Sequence, residues 1–512
     1  MRINRRRFLA AAGSVLLPYP RVFAQPSLQN DPFTLGVASG YPHAEGATLW
    51  TRLAPEPLHG GGMPAAAVQV EWEIATDQRL RSGVRRGRVL ALPEWGHSVH
   101  VDVTGLEPAR WYWYRFRALG FASPVGRLRT AALPGSNAPL RFAFACCQQY
   151  EQGYYVAYRH MAQEALDLVI HVGDYIYESS WGRNHVRSHG ADEPRTLIEY
   201  RNRYALYKSD TDLQAAHAAF SWIVTWDDHE VQNDYANDRS QFLEDPAVFL
   251  ERRAAAYQAY YEHLPLPAWA RPAGPHMQLY THAAFGQLVR FHVLDDRQYR
   301  SHQVCARPDR GGSNVVLASA CPERLDEKLT LLGTAQEQWL LDGLGQSNAR
   351  WNIIAQQTLM AQADRFPGPE AQQFWTDGWD GYPRARERLL HFISERRMGN
   401  VIVIGGDVHM SVVADLKVDF DDPRAPVVAS EVVTTSITAQ GMSRKQADAI
   451  VAKNPHIKFM NSVNRGYTMM EVTADRCIAR LRTVRSVTDR YAPIRDLAAY
   501  AVEHGKPGLQ RY

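Results

Sequence analysis

Long hydrophobic runs are scarce in this 512-residue sequence, and none outside the N-terminus approaches the roughly 18 uninterrupted apolar residues of a membrane-spanning helix. No transmembrane segment is therefore expected in the mature protein. Charge of one sign is also lacking: 57 Lys and Arg against 54 Asp and Glu leave a formal +3, with no dominant basic block. That balance sets aside nucleic-acid readout and polyanion binding. Cysteine is rare, and its count of five is odd, so at least one thiol stays unpaired or serves another chemistry. No internal repeat or low-complexity tract stands out. What is present, 45% hydrophobic and 22% charged residues, is ordinary globular composition and excludes disorder, collagen and coiled coil. Aromatic residues reach 11%, which suits deep cores and a lined pocket.

Residues 1–24 have the form of an export signal. A charged segment, MRINRRR, precedes a short apolar run, and Val22-Phe23-Ala24 supplies a small-residue cleavage pattern. Arg5-Arg6-Arg7-Phe8-Leu9 fits the R-R-x-F-L pattern of the twin-arginine route, with an ordinary secretory signal as the alternative. The twin-arginine export machinery is thus an expected partner, and a periplasmic or secreted location is expected. Folding before export matters most when a cofactor is loaded first, which directs attention to metal ligands.

Residues 31–136 read as strands with no convincing helix, alternating over 68–74 and 98–103. The passage Leu106-Glu107-Pro108 followed by Tyr112-Trp113-Tyr114 resembles the corner and aromatic strand of fibronectin type III sandwiches, so a small antiparallel β-sandwich is expected. Over 138–483 the grammar changes to alternating strands and helices. Apolar strands are expected at 141–146, 166–172, 222–226, 289–294, 351–355, 401–404 and 427–433, with helices at 153–165, 336–343 and 384–397. This alternation implies an α/β layered domain with a largely buried sheet. The tail, 484–512, is expected to carry one helix over 493–503.

The unusual polar residues fall just after these strands. Cys147-Gln148 follows the first, Asp174 with Tyr177 the second, Asp227-Asp228-His229-Glu230 the third, and Asp407 with His409 the strand at 401–404. In open α/β sheets the C-terminal edge of the strands is where ligands bind. Four such clusters exceed what turn chemistry requires. Their donors divide by softness. A Cys147 thiolate, a Tyr177 phenolate and His409 suit a Lewis-acidic trivalent iron, whereas Asp228, Asn233 and a share of Asp174 are hard oxygen donors for calcium or magnesium. A carboxylate such as Asp174 can bridge two metals, and two metals side by side clamp a phosphate and activate a water.

The motifs Gly-Asp-Tyr-Ile-Tyr-Glu at 173–178, Trp-Asp-Asp-His-Glu-Val with Asn-Asp at 226–234, Asp-Asp-Arg-Gln-Tyr-Arg at 295–300 and Gly-Gly-Asp-Val-His at 405–409, with Cys147-Gln148, resemble the PhoD-like family of alkaline phosphatases and phosphodiesterases. The resemblance spans nearly the whole chain. It implies a metallophosphatase domain, an αββα sandwich, preceded by the small β-sandwich. It also implies Fe³⁺ among Cys147, Asp174, Tyr177 and His409, and calcium among Asp174, Asp407 and a donor from Asp228, Asn233 and Asp234. The wider fold places Gly-Asn-His-Asp/Glu and Gly-His-x-His where this chain has Asp-Asp-His-Glu and Gly-Asp-Val-His, which speaks against a dizinc centre.

By the same resemblance His229 matches the histidine that protonates the leaving alkoxide. Its other reading is a structural histidine held by a carboxylate. Arg297 is a candidate for binding phosphate oxygens, or else forms a salt bridge with its neighbours. Cys305 and Cys321 flank a loop and are expected to form a disulfide in an oxidising compartment. Cys146 and Cys477 read as core. The resulting expectation is an exported hydrolase that cleaves phosphate monoesters, diesters or both at alkaline pH by attack of a metal-activated hydroxide, with Asp174 and His229 in catalytic roles. The alternatives are a phospholipase D-like phosphodiesterase and a non-catalytic phosphate- or metal-binding protein.

Overall fold

Near-continuous apolar runs form central strands buried on both faces, and these organise the catalytic body into two stacked sheets. A computed structural model describes residues 28–366 and 368–512; the export signal expected over 1–24 lies outside the described residues. In the first sheet Leu140–Ala145, Leu168–Val172 and Ser221–Thr225 run parallel, in the register Phe142↔Leu168 and Leu168↔Ser221. In the second, Val289–Val293, Trp351–Ala355, Val401–Gly405 and Val427–Val433 are likewise parallel neighbours. Their inner faces share one core, in which Phe142 meets Phe291 edge-on at 5.1 Å. A separate apolar cluster packs the second sheet against the helices Thr334–Gly345 and Pro383–Glu395. The first sheet is covered by Leu197–Lys208, Thr211–Ala219 and Pro246–His263. The helix expected over 153–165 is shorter, Val156–Met161.

The N-terminal sandwich is joined to this body through a continuous sheet. Its strands Val37–His43, Gly46–Arg52 and Ser98–Val103 extend the first sheet on one side, with Ser39 paired to Ser221 in parallel, and four antiparallel strands from residues 465–511 extend it on the other, to ten in all. Its other layer is a separate antiparallel sheet centred on Val68–Ala75 and Trp111–Ala118. Gly40 sits at the seam, where an added Cβ would lie 2.2 Å from the Pro265 carbonyl oxygen. A side chain there would force the seam apart.

The tail departs from expectation. In place of a helix over 493–503, Ile494–Glu503 is a strand paired antiparallel with Arg476–Val484, followed by the edge strand Lys506–Arg511. Alternation explains it: Tyr500 and Val502 are buried, while Ala501 between them and Ala499 before them are only half-buried. Pairing with an existing strand overrides a helix-favouring composition. Cys305 and Cys321 form the expected disulfide. Cys146, Cys147 and Cys477 are free and buried.

Candidate metal centre

The parallel strands of both sheets end on one edge, and the turns leaving them are tied together. The Cys147 amide donates to the Gly173 carbonyl and the Gln148 amide to the Asp174 carbonyl, each at 3.1 Å. Gly173 has φ 109°, and a Cβ on it would lie 2.5 Å from Asp227 Cβ, so only glycine lets the second and third turns touch. The buried Glu230 carboxylate completes the splice by accepting the amides of Asp174, Tyr175 and Asp227. Left-handed backbone recurs at Cys147, Asp174, Asp234, Asp407 and His409. Such geometry costs non-glycine residues on the order of 1 kcal/mol each, and here it turns each side chain toward one cleft or its floor.

At one pole, donor atoms of Cys147, Asp174 and His409 lie within 4.8 Å of one another. The Tyr177 hydroxyl is 2.7 Å from Asp174 Oδ2 and 3.1 Å from His409 Nε2. His409 Nδ1 lies 2.7 Å from the Gln440 carbonyl, which can only accept, so the proton sits on Nδ1 and the Nε2 lone pair faces the cluster. One phenolic proton cannot serve both Asp174 and His409, and Asp174 Oδ1 is buried with no partner at all. Burial pushes the pKa values of Cys147, Asp174 and Tyr177 well up, and neighbouring acidic groups push them further. Such groups stay protonated unless a cation takes the protons' place, and the unpartnered Asp174 Oδ1 and the His409 Nε2 lone pair are donors such a cation would meet.

At the other pole Asp228 and His229 join Asp174 in a second group of converging donors, and Asp228, Asp234 and Asp377 form a third. Asp174 is common to the first two groups, the position of a bridging carboxylate. Asn233, Asp234 and Asp407 line the cleft beside Asp228. Asp407 accepts the Thr358 hydroxyl at 2.7 Å, and burial pushes its pKa up to about 7. The disulfide-closed loop reaches this pole: Ser313 donates its amide and hydroxyl to Asp234, at 3.0 and 2.6 Å. Burial and the nearby Asp377 push Asp234 up to about 6.

His229 lies against the Tyr177 ring at 4.1 Å, and its Nδ1 is 2.6 Å from Glu178 Oε2. Burial raises the Glu178 carboxyl, but His229 outweighs it and holds Glu178 down at about 2. The two form an oriented carboxylate–histidine pair on an open cleft of about 520 Å³. Arg297 does not reach that cleft. Its Nε meets Asp227, Nη1 is 2.8 Å from Asp377, and the side chain is 2% exposed, so its guanidinium is spent on protein carboxylates instead of facing a phosphate. Sequence reasoning missed Asp377 as part of the site, and it assigned no role to Glu178 or to Glu230, although Glu230 belongs to the third cluster. Glu178 closes a quoted motif and was within reach; Asp377 follows a short strand with no cluster to mark it.

The model of the PhoD-like phosphatase family matches residues 142–481, and that of its N-terminal domain matches residues 20–132. The chain belongs to the PhoD-like phosphatase family. This PhoD-like phosphatase is 46% identical to alkaline phosphatase D of Bacillus subtilis strain 168, over 99% of its own length and 89% of that protein. The solved structure of PhoD matches it with a TM-score of 0.90 and 46% identity, covering 95% of this chain and 93% of the other. A purple acid phosphatase from yellow lupin, Lupinus luteus, shares the fold alone, with a TM-score of 0.55 and 12% identity over 93% of this chain and 74% of its own. The PhoD-like phosphatase is thus a phosphoric ester hydrolase built on a metallophosphatase α/β core with a β-sandwich in front, a fold that implies metal ions at the converging ligands.

Proposed function

We propose that the protein is an exported enzyme hydrolysing phosphate monoesters, diesters or both at alkaline pH, at a centre that takes iron and calcium. The position of Asp174, shared between a pole of thiol, phenol and imidazole and a pole of oxygen donors, carries this reading. Cys147, Asp174, Tyr177 and His409 would hold Fe³⁺, whose charge matches anionic, polarisable donors. Asp174 and Asp407, with Asp228, Asn233 or both, would hold calcium through oxygen. When bound, the ions supply neutralisation of phosphoryl charge and a water acidic enough to furnish the nucleophile.

The chain's own residues do the rest. His229, turned by Glu178 and braced on Tyr177, presents its Nε2 to the cleft. From there it protonates the departing alkoxide oxygen. Glu178 accepts the Nδ1 proton and, through Oε1, the Asn233 amide at 2.9 Å, so one carboxylate fixes both the acid and a metal-donor candidate. Arg297 neutralises Asp227 and Asp377 behind the site and keeps them from competing for cations.

Elemental analysis of protein purified after export, with no metal added, tests the centre. Iron with calcium at near-whole-number ratios is expected; zinc alone, or no metal, overturns the assignment. Export through residues 1–24 is tested separately by replacing Arg5 and Arg6 with lysine, which should hold the protein in the cytoplasm.

A further inference from the structure

The cleft holds a cation that the metal ligands do not use. Arg310, Arg365 and Trp375 line it together with Trp181 and Met442. The Arg365 guanidinium lies 5.4 Å from the centroid of the Trp375 ring, and its Nε is buried with no hydrogen-bond partner. Among the described residues no carboxylate pairs with it. Arg365 is half-buried; among the buried arginines, Arg297 pairs with Asp227, Arg386 with Asp380 at 2.7 Å and Arg252 with Glu193 at 2.7 Å, whereas Arg203 and Arg253 bond backbone carbonyls and Arg324 stacks on Phe374 with its Nε unpartnered. The adjacent Asp364 is already engaged, accepting the Phe366 and Gln373 amides at 3.0 and 2.9 Å and lying 3.4 Å from Lys453. The Arg365 amide donates to the Gln373 carbonyl at 2.8 Å, so the side chain stands on a fixed backbone.

A guanidinium partly withdrawn from water with no anion in contact is costly, and burial pushes its pKa down, Asp380 and Asp407 at longer range offsetting only part of that shift. The cost is recovered when a ligand brings the anion. At about 520 Å³ the cleft is of the size that takes a whole small molecule, about 300–1,000 Å³, and so extends well past a single phosphoryl group. Resting on the phosphoesterase reading above, we propose that Arg365, with Trp375 as a flat wall and the exposed Arg310 at the rim, forms a subsite for a second anionic group, phosphate or carboxylate, carried by the substrate beyond the scissile phosphoryl.

Two matched pairs test this with the metal-loaded enzyme: phenyl phosphate against 3-carboxyphenyl phosphate, and butanediol monophosphate against its bisphosphate. Arg365→Gln should lower kcat/KM for the doubly anionic member by about 10- to 100-fold, mainly through KM, and for its singly anionic partner by about 3-fold. Arg365→Lys should restore part of the difference. A response in the bisphosphate pair alone assigns the subsite to phosphate, and a response in both pairs assigns it to anions generally. Equal losses on both members of both pairs, or no loss on any, would overturn the subsite. Failure of the wild-type enzyme to hydrolyse both phenyl phosphate and the diester diphenyl phosphate would instead count against the phosphoesterase reading itself. The folding check is a melting midpoint: Arg365 has no protein carboxylate to abandon, so Arg365→Gln should melt no lower than wild type, and a clear fall would assign Arg365 a structural role.

Discussion

Asp174 and Asp227 begin alike. Each is buried, each leaves the end of a central parallel strand, and each has a carboxylate oxygen without a hydrogen-bond partner. Their surroundings separate them. Asp174 faces a thiol, a phenol and an imidazole, with no protein cation in contact except through His229 at the far side. Asp227 is clamped by Arg297, which also meets Asp377. A buried carboxylate needs a counter-charge, and what supplies it decides the role. Where arginine supplies it, as at Asp227, or backbone amides stand in for it, as at Glu230, the group is scaffold; Asp174 has neither and on the proposed reading is left to a metal.

The sharpest way to break this comparison is at its open member. Asp174→Ala should abolish phosphoesterase turnover and empty both metal positions together, since one carboxylate serves both ligand groups. Iron retained at full occupancy alongside measurable turnover would contradict the bridge. Next in size is His229→Ala, which should leave the metals bound and slow substrates with poor leaving groups by about 10²- to 10⁴-fold. Aryl esters with good leaving groups should lose much less. A uniform loss across a leaving-group series would show that His229 does not donate the proton.

The difference between the two aspartates was only half legible in the sequence. That both follow central strands could be read from the apolar runs and the turn residues after them, and so could the donor set Cys147, Tyr177 and His409. What fixes Asp227 is Arg297, which arrives from the turn after Val289–Val293 in the other sheet, and Asp377, which arrives from beyond a short strand. Local pattern carries no record of such long-range pairing, so Arg297 could be read toward phosphate as easily as toward carboxylate. The tail shows the same limit in the fold. The stretch Ile494–Glu503 has helix-favouring alanines and leucine, and only the waiting edge of Arg476–Val484 makes it a strand. Likewise the sandwich was legible as strands, but not that Val37–His43 would pair with Ser221–Thr225 and fuse the two sheets.

The closed member gives the third test. Arg297→Met should cost about 3–5 kcal/mol of stability, because Asp227 and Asp377 would be left buried and uncompensated. Restoring Asp227→Asn in the same chain should recover part of that loss, as read from denaturant midpoints. If Arg297→Met instead folded as stably as wild type and raised only KM, the arginine would belong to the substrate after all.

A smaller effect lies in the loop that reaches the oxygen-donor pole. The disulfide joins residues 16 apart and holds the segment whose Ser313 bonds Asp234, while Asn314 pairs with Thr376 beside Asp377. None of the contacts among Cys147, Asp174, Tyr177 and His409 described above is made by this loop. Cys305→Ser with Cys321→Ser should therefore lower stability by about 3 kcal/mol, the chain-entropy value for a loop of this length, while iron content stays whole. Calcium affinity should weaken, because the freed loop makes the Ser313 bonds that steady Asp234, whose amide donates to the donor candidate Asp228 at 2.6 Å. Equal loss of iron and calcium would mean that the two poles are not mechanically separate, and the contrast between an open and a clamped acid would then have to be redrawn around the loop.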